Sequence, residues 1–300
     1  KLPLRINSSK GGGDVFYQAI NIPGKRELYS GYFGGTDYDA ATSISLWEDK
    51  VIIGGYTNSN DIPNSNNGWK GGTEGFLARL NKTTGQIISS HYYGGSGNDR
   101  ITALSVDSMG KVSVCGTTNS TDLPTAGNSY SSYQIGEDDG FMAQFTALDT
   151  LKYATYIGGA FSEELFDLKE DNYGQIYVFG NTKGEITTPS IPEDADFTRP
   201  FGGNSDCFWV MINPKDTSIK YGTYIGGANS DFARALEINQ NHIYCSGFTG
   251  SSDFQPMRGG FSPNLKGGLF DGYFCSQDLP EREPIITPSF IDYGKVIINS

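Results

Sequence analysis

One phrase occurs four times along the chain, and this repetition restricts the possible folds more than any other feature of the sequence. Each copy closes an apolar run, passes a double glycine and a carboxylate, and opens another apolar run: GYFGGTDYDAATSISL, HYYGGSGNDRITALSV, TYIGGAFSEELFDLKE and TYIGGANSDFARALEI. The first glycines of the copies, Gly34, Gly94, Gly158 and Gly226, are 60, 64 and 68 residues apart. This period predicts one supersecondary unit that is copied along the chain and stacked on itself.

Two further patterns recur in register with that phrase. One is a loop phrase, TNSNDIP, TNSTDLP and TGSSDFQP, with a degenerate copy, TKGEITTP, in the third repeat. The other is a glycine-rich turn followed by a carboxylate, one residue and an aromatic, and its copies are Asp14/Phe16, Glu74/Phe76, Asp139/Phe141, Asp206/Phe208 and Asp271/Tyr273. Because these carboxylates precede an aromatic strand in every copy, we expect the aromatics to be buried and the carboxylates to have a structural role.

Within one repeat, apolar residues alternate as they do in short β-strands. In the second repeat the pattern predicts strands at residues 102–106, 112–116, 141–145 and 151–157, with Phe141, Ala143 and Phe145 on one face. The 40 glycines, 18 phenylalanines and 18 tyrosines of the chain also favour turns and half-buried strands. Four short antiparallel strands per repeat predict an all-β fold, a β-propeller of four-stranded antiparallel blades.

The repeats also carry a family resemblance. The stretch YYGGSGNDRITALSVDSMGKVSVCGTTNSTDLP, followed by DDGFMAQF and YATYIGG, resembles the SBBP-type β-propeller repeat of bacterial secreted and cell-surface proteins, and the resemblance covers residues 1–279. It implies an extracellular or cell-surface location and a role in binding, adhesion, display or spacing within a large protein. Export by type IX secretion is a further implication of the resemblance.

The repeat boundaries suggest an excerpt of a larger chain. Pro3 precedes Asp14 by the same 11 residues that separate Pro63 from Glu74, so we expect a partial repeat at 1–33. Full repeats are then expected at 34–93, 94–157 and 158–225, and an incomplete one at 226–279. Residues 280–300 resemble the opening of an abnormal-spindle/hydin-type immunoglobulin-like domain, or they are a linker that packs against the last blade.

Charge and cysteine content exclude several classes of function. A net charge of -12 argues against a nucleic-acid or anionic-membrane surface, and without an apolar run of about 18 residues no direct membrane insertion is expected. The four cysteines form no CxxC pair, which argues against zinc. We expect Cys115, Cys207, Cys245 and Cys275 to be small buried residues, with a disulfide between Cys245 and Cys275 as the alternative.

The carboxylates that follow the double glycines have two possible roles. They are Asp37, Asp39, Asp99, Glu163 and Asp231. Each could accept backbone N–H groups and thereby shape its turn, as Asp commonly does. Alternatively they could bind calcium, which prefers oxygen ligands. No other cofactor is expected.

Catalysis finds little support in the sequence. His91 and His242 are the only histidines, and we expect both to be exposed or packing residues. No nucleophile-elbow, zinc-protease or phosphate-loop motif occurs, so the chain is not expected to be an enzyme. The alternative is a propeller-fold enzyme acting on polysaccharide, with a carboxylate acid/base pair in the central channel.

The loops between the second and third strands vary most among the repeats, and they carry aromatic residues. These are Trp69, Tyr130, Tyr133, Phe197, Phe201 and Phe261. In a propeller these loops lie on the same side as the carboxylates after the double glycines, so the sequence predicts an acidic, aromatic face. Such a face suits a glycan, a basic protein segment or another domain of the parent chain. The alternative is that the rings cover gaps between neighbouring blades.

Overall fold

Five β-sheets follow one another along the chain in the computed structural model, which describes residues 4–127, 129–186, 196–197, 199–214, 218–239, 242–254 and 268–279. The first sheet has the order β1-β3-β2, and it contains β1 (Leu4–Arg5), β2 (Val15–Asn21) and β3 (Arg26–Phe33). Strand β1 pairs with β3 in parallel, so the N-terminal strand joins the first sheet rather than the last. The described residues contain no helix, and hence none that could cross a membrane.

The second and third sheets are four-stranded antiparallel meanders. The second contains β4 (Asp39–Trp47), β5 (Lys50–Thr57), β6 (Glu74–Asn81) and β7 (Ile87–Tyr93). The third contains β8 (Asp99–Val106), β9 (Val112–Thr118), β10 (Asp139–Phe145) and β11 (Leu151–Ile157). In both sheets each strand pairs with the next one along the chain, as the repeat pattern predicted.

The fourth and fifth sheets follow the same plan. The fourth contains β12 (Glu163–Glu170), β13 (Ile176–Thr182), β15 (Asp206–Asn213) and β16 (Ser218–Ile225), and the short β14 (Asp196–Phe197) pairs with β16 in parallel. The described part of the fifth sheet contains β17 (Asp231–Asn239), β18 (His242–Thr249) and β19 (Asp271–Asp278). These strands correspond to the first three strands of the complete sheets.

The sheets are arranged radially. The first strand of each sheet packs against the first and second strands of the sheet before it: β8 lies on β4 and β5, β12 on β8 and β9, and β17 on β12 and β13. The first strands are therefore innermost, and the later strands of each sheet lie farther out. This arrangement is a β-propeller, which confirms the fold class predicted from the repeats.

The strand boundaries of the third sheet differ from the prediction at polar residues. The fourth strand matches the predicted range, whereas the first begins earlier at Asp99, the second continues to Thr118, and the third begins earlier at Asp139. Thr118 pairs with both Asp99 and Asp139 in the ladder. Alternation of apolar residues could not reveal these polar pairs.

One hydrophobic cluster fills each interface between neighbouring sheets. Alternate residues of a strand enter opposite clusters, because side chains of a strand point to the two faces in turn. On β10, Phe141, Ala143 and Phe145 share one face, as predicted. That face is turned toward the second sheet, while Met142 faces the fourth. Phe16 of the first sheet is an exception to the predicted burial of the repeated aromatic, since 56% of it is exposed.

A bulge with a facing glycine recurs in the first hairpin of each later sheet. The register between the first and second strands shifts at Ile101/Ala103 in the third sheet, and corresponding shifts occur in the second, fourth and fifth sheets. The second strand places a glycine against the bulge, and a Cβ atom on Gly116 would lie only 1.8 Å from the carbonyl oxygen of Arg100. The equivalent glycines are Gly55, Gly180 and Gly247. The bulge therefore explains why these strand glycines recur.

The bulges also join neighbouring sheets. The hydroxyl of Thr42, the bulged residue of β4, donates to the carbonyl oxygen of Ile101 on β8 at 2.8 Å. Thr102, the equivalent residue of β8, donates to the carbonyl oxygen of Leu165 on β12 at 2.6 Å. The bulge thus directs the threonine side chain toward the backbone of the next sheet. In a regular strand the same side chain would point in another direction.

We predict that Gly116→Ala lowers the free energy of unfolding by about 1–3 kcal/mol, because the added methyl group overlaps a strand carbonyl that cannot move without breaking the bulge. Urea denaturation followed by tryptophan fluorescence measures the change. Gly68→Ala is the matched control, since a Cβ atom there has no atom within 4 Å. Equal midpoints for the two variants would contradict the role assigned to the bulge glycine.

Candidate functional site

Each carboxylate that ends the double-glycine turn is buried in a small network. In the second sheet, Asp39 accepts the N–H of Gly35 at 2.9 Å and the hydroxyl of Ser59 at 3.1 Å on one oxygen. Its other oxygen accepts the hydroxyl of Thr57. The carboxylate therefore joins the turn that enters the sheet to the end of the second strand.

The same network recurs in the third and fifth sheets. Asp99 accepts the N–H of Gly95 and the hydroxyl of Ser120, both at 2.8 Å. Asp231 accepts the N–H of Gly227 at 2.8 Å and the hydroxyl of Ser251 at 2.9 Å. The repeated Ser of the loop phrase is thus a hydrogen-bond donor to the carboxylate in the second, third and fifth sheets. The repeated Thr donates to it in the second and third sheets.

The fourth sheet departs from this pattern where its loop phrase is degenerate. Glu163 accepts the N–H of Gly159 at 2.7 Å and the hydroxyl of Thr182 at 2.8 Å, while Gly184 stands where the other copies have Ser. Glu replaces Asp at this position, and it is as fully buried as its counterparts. The network keeps its glycine and threonine contacts without the serine.

The aspartate of the loop phrase contacts the same turn from outside. Asp61 accepts the N–H of Thr36 at 2.8 Å, Asp122 that of Ser96 at 2.7 Å, and Asp253 that of Ala228 at 2.9 Å. Asp37 has a different position from the buried carboxylates, because it is exposed and only its N–H is engaged, by the hydroxyl of Ser59 at 2.8 Å. The loop after the second strand is therefore attached to the double-glycine turn at several points.

A second buried carboxylate approaches the turns into the fourth and fifth sheets from the preceding sheet. Asp139, which starts β10, accepts the N–H groups of Ile135 and Gly136 at 2.9 and 3.1 Å. A Cβ atom on Gly158 would lie 2.6 Å from an oxygen of Asp139 and 2.6 Å from an oxygen of Glu163. Since one carboxylate stands on each side of it, this glycine has no room for a side chain.

Burial raises the pKa of these paired carboxylates. It raises the pKa of Glu163 to about 8, with a smaller contribution from the charge of Asp139. It raises the pKa of Asp206 to about 6, where Asp231 adds to the effect, and it raises the pKa of Asp39 and Asp99 as well. Two carboxylates that share a buried junction cannot both ionise easily, so the charge of Asp139 adds to the effect of burial on the pKa of Glu163.

The metal candidates named from the sequence lie in these networks or beside them. Asp39, Asp99 and Glu163 direct both oxygens at N–H or O–H donors. Among the residues that the structure describes, no cluster of three or more His, Cys, Asp or Glu side chains is placed to hold a metal ion. The geometry of these carboxylates is that of turn-shaping hydrogen-bond acceptors.

The loops and the buried carboxylates share one end of the sheets, which we call the loop end. In the second sheet, Thr57 at the end of β5 pairs with Asp39 at the start of β4 and with Glu74 at the start of β6. The loop from β5 to β6 and the turn into β4 therefore emerge together. The tight turns within the hairpins lie at the opposite end, the turn end.

The aromatic residues predicted at the loop end differ in exposure. Trp69 is 38% exposed and Tyr133 is 54% exposed. Tyr130 and Phe201 are half-buried and pack against the core between the third and fourth sheets, with the ring centroid of Phe201 5.9 Å from that of Tyr224. Phe197 belongs to β14, and Phe261 lies outside the described residues. Trp69 and Tyr133 are thus the accessible rings of this set.

Two further rings are exposed at the loop end, and neither is among the aromatic residues predicted from the sequence. Tyr38 is 48% exposed and Phe161 is 55% exposed, and both stand in double-glycine turns. The repeats contain a sign of this exposure: the turns into the third and fifth sheets carry no aromatic residue at these positions, so the fold does not require one there. An aromatic residue that occurs in the turn of one repeat but not in the others therefore indicates an exposed ring.

The histidines and cysteines have packing positions. His91 is buried, with its ring centroid 5.1 Å from that of Phe145, and burial lowers its pKa to about 4. His242 is exposed, 3.1 Å from a carboxylate oxygen of Asp278. All four cysteines are buried and free, and Cys245 lies directly opposite Cys275 in the β18–β19 ladder.

We predict that the contribution of Glu163 to the free energy of unfolding falls as the pH rises from 4.5 to 8, and that Glu163→Gln removes this contribution. In the unfolded chain Glu163 ionises above its ordinary pKa of 4.5, whereas burial raises its pKa to about 8 in the folded protein. The native state therefore binds more protons across this interval, and the free energy of unfolding falls as the pH rises. Urea midpoints of both proteins across this range provide the measurement. The lowered pKa of His91 acts in the opposite direction below 6.5 in both proteins, and it cancels in their difference. Identical pH profiles would refute the assignment.

We predict that an excess of chelator leaves the melting temperature unchanged. Hydrogen-bond donors already occupy both oxygens of Asp39, Asp99 and Glu163, and a calcium ion would have to displace them. Differential scanning calorimetry with and without EDTA tests this expectation, since a cation bound only to the native state would stabilise it by mass action. A drop of several degrees would instead support calcium at the turns.

Comparison with known proteins gives similarity of fold only. No family model and no curated protein sequence matches the chain. Among solved structures, the chain is similar to the hydrazine synthase of Kuenenia stuttgartiensis, with a TM-score of 0.37, 9% identity, and coverage of 81% of this chain and 73% of that one. It is also similar to the Dos1 propeller, with a TM-score of 0.33, 11% identity, and coverage of 80% and 57%. For BamB from Moraxella catarrhalis the TM-score is 0.27, the identity 12%, and the coverage 81% and 80%. At such TM-scores these similarities carry no argument about function.

Proposed function

We propose that this chain is a non-enzymatic binding module that presents the loop end of a β-propeller to a basic segment of a partner protein. The observation that carries the proposal is the set of exposed rings, Tyr38, Trp69, Tyr133 and Phe161, on turns and loops at one end of the sheets. Exposed aromatic side chains supply contact area and attract cations to their faces. Residues of this kind commonly dominate protein interfaces.

The same end of the sheets carries carboxylates that remain at the surface. Asp37, Asp61, Asp122 and Asp253 are exposed, and the N–H of Ser96 holds the pKa of Asp122 below its ordinary value. These surface carboxylates belong to the acidic residues behind the net charge of -12. Acidic groups beside aromatic rings favour lysine- and arginine-rich partners over anionic polymers.

The loops that carry the rings are held in place before any partner binds. Asn67, two residues before Trp69 in this loop, accepts the N–H of Tyr92 at 2.8 Å and donates to the carbonyl oxygen of Tyr92 at 2.9 Å. Ser131, two residues before Tyr133, donates its N–H to the hydroxyl oxygen of Thr155 at 2.8 Å. Preorganised loops lose less conformational entropy on binding, which favours affinity.

An extracellular or cell-surface location completes the proposal. It rests on the resemblance of the repeats to the SBBP-type repeats of secreted bacterial proteins. Adhesion and display are the roles that a binding face on such a propeller would serve. Detection of the protein on intact cells with an antibody would test the location directly.

We expect a lysine- and arginine-containing peptide selected from an immobilised peptide library to lose about 1–3 kcal/mol of binding free energy with Trp69→Ala and with Tyr133→Ala, because each substitution removes an aromatic anchor. Surface plasmon resonance measures the affinities. Met109→Ala and Leu148→Ala are the matched controls, since both side chains are exposed apolar groups at the turn end. Loss of binding in the controls, with Trp69→Ala and Tyr133→Ala unaffected, would place the partner at the turn end and overturn the proposal.

A further inference from the structure

A cavity of about 450 Å³ opens where the second, third and fourth sheets meet near the loop end. Tyr56 of β5 lines it from the second sheet, Arg100 of β8 from the third, and Glu164 and Phe166 of β12 from the fourth. Its volume falls within the range of protein sites for small ligands. The cavity is distinct from the exposed rings at the loop tips, and none of those rings lines it.

Two asparagines at the loop end of the third sheet provide unpaired hydrogen-bond donors to this cavity. The amide oxygen of Asn98 accepts the N–H of Thr73 at 3.0 Å, and that of Asn119 accepts the N–H of Asn98 at 2.6 Å. These bonds fix the orientation of both amides, and neither NH₂ group has a hydrogen-bond partner among the described residues. Both asparagines line the cavity, so their NH₂ groups are available to a ligand.

The cavity also contains charges of both signs. The guanidinium of Arg100 lies 4.9 Å from the ring centroid of Tyr56, and within the described part of the chain it makes no ion pair. Glu164 and Asp138 line the same cavity, and no hydrogen bond of either carboxylate is found in that part of the chain. One cation and two carboxylates therefore meet the same space.

Two aromatic rings complete the lining. Tyr56 is held beside Tyr38, with their ring centroids 6.2 Å apart. Phe166 is the bulged residue of β12, and the guanidinium of Arg234 lies 5.2 Å from its ring centroid. The rings belong to sheets on either side of the third sheet, so they border the cavity from two directions.

We propose that this cavity binds a short neutral glycan of two or three sugar units. A sugar hydroxyl both donates and accepts hydrogen bonds, so it can use the asparagine NH₂ groups and Arg100 together with Glu164 and Asp138. The C–H faces of the sugar rings pack against Tyr56 and Phe166. An acidic sugar would meet two carboxylates and is disfavoured. A sugar hydroxyl, unlike a purely basic ligand, can also accept a hydrogen bond from the Arg100 guanidinium.

The test begins with a glycan array that contains neutral and acidic oligosaccharides, together with free peptides, and continues with calorimetric titration of the best neutral ligand. Arg100→Ala and Glu164→Ala are each expected to weaken its binding by roughly tenfold or more, because each removes a charged hydrogen-bonding group. Glu137→Ala is the matched control, since it removes an exposed carboxylate that lies one residue before Asp138 and does not line the cavity. Melting temperatures show whether each variant is folded.

The expected result is a neutral glycan whose affinity falls in both cavity variants and is unchanged in Glu137→Ala. The proposal is overturned if no neutral glycan binds, if the preferred ligand is an acidic glycan or a peptide, or if the folded cavity variants bind as tightly as the original protein. Because the loop-end proposal concerns a basic protein segment and different side chains, its failure would leave this result unaffected.

Discussion

The hydrogen bond from the second glycine of each double-glycine turn to a buried carboxylate is the interaction on which the rest of the structure depends. The turn carries the chain from the outer strand of one sheet to the inner strand of the next. A buried carboxyl group needs donors in place of water, and the Gly95 N–H supplies one to Asp99 while Thr118 and Ser120 supply others. One residue thereby fixes the turn, the start of the first strand and the end of the second.

The sheets lie close together because glycine residues without side chains stand at the points where neighbouring sheets meet. Gly158 lies between carboxylates of two sheets, and Gly116 lies against a bulge whose Thr102 reaches the backbone of the next sheet. With the sheets held this close, a single layer of side chains such as Phe141 and Tyr93 fills the space between them, with ring centroids 5.5 Å apart. The loops that leave these junctions are consequently well positioned to present aromatic rings.

The candidate sites could be predicted only in part. Variation between repeats correctly indicated that the loops after the second strands carry exposed rings, as Trp69 and Tyr133 do. It failed for Tyr130 and Phe201, because whether a ring packs inward depends on the neighbouring sheet, which the local sequence does not contain. The cavity around Arg100 was not predicted at all, since its lining comes from three sheets and from residues that no single motif unites.

The sequence by itself determined the class of fold, because a repeated unit of four short alternating strands joined by glycine turns buries both faces of its small sheet by stacking on its own copies. It also determined which face of a strand such as β10 would contain Phe141 and Phe145. Only the tertiary structure showed which donors the repeated carboxylates accept, because the sequence pattern of an aspartate in a turn is the same whether it binds a cation or a backbone N–H. Burial of Asp99 and the donors around it are properties of three segments that meet in space, and residues far apart in the chain determine them together.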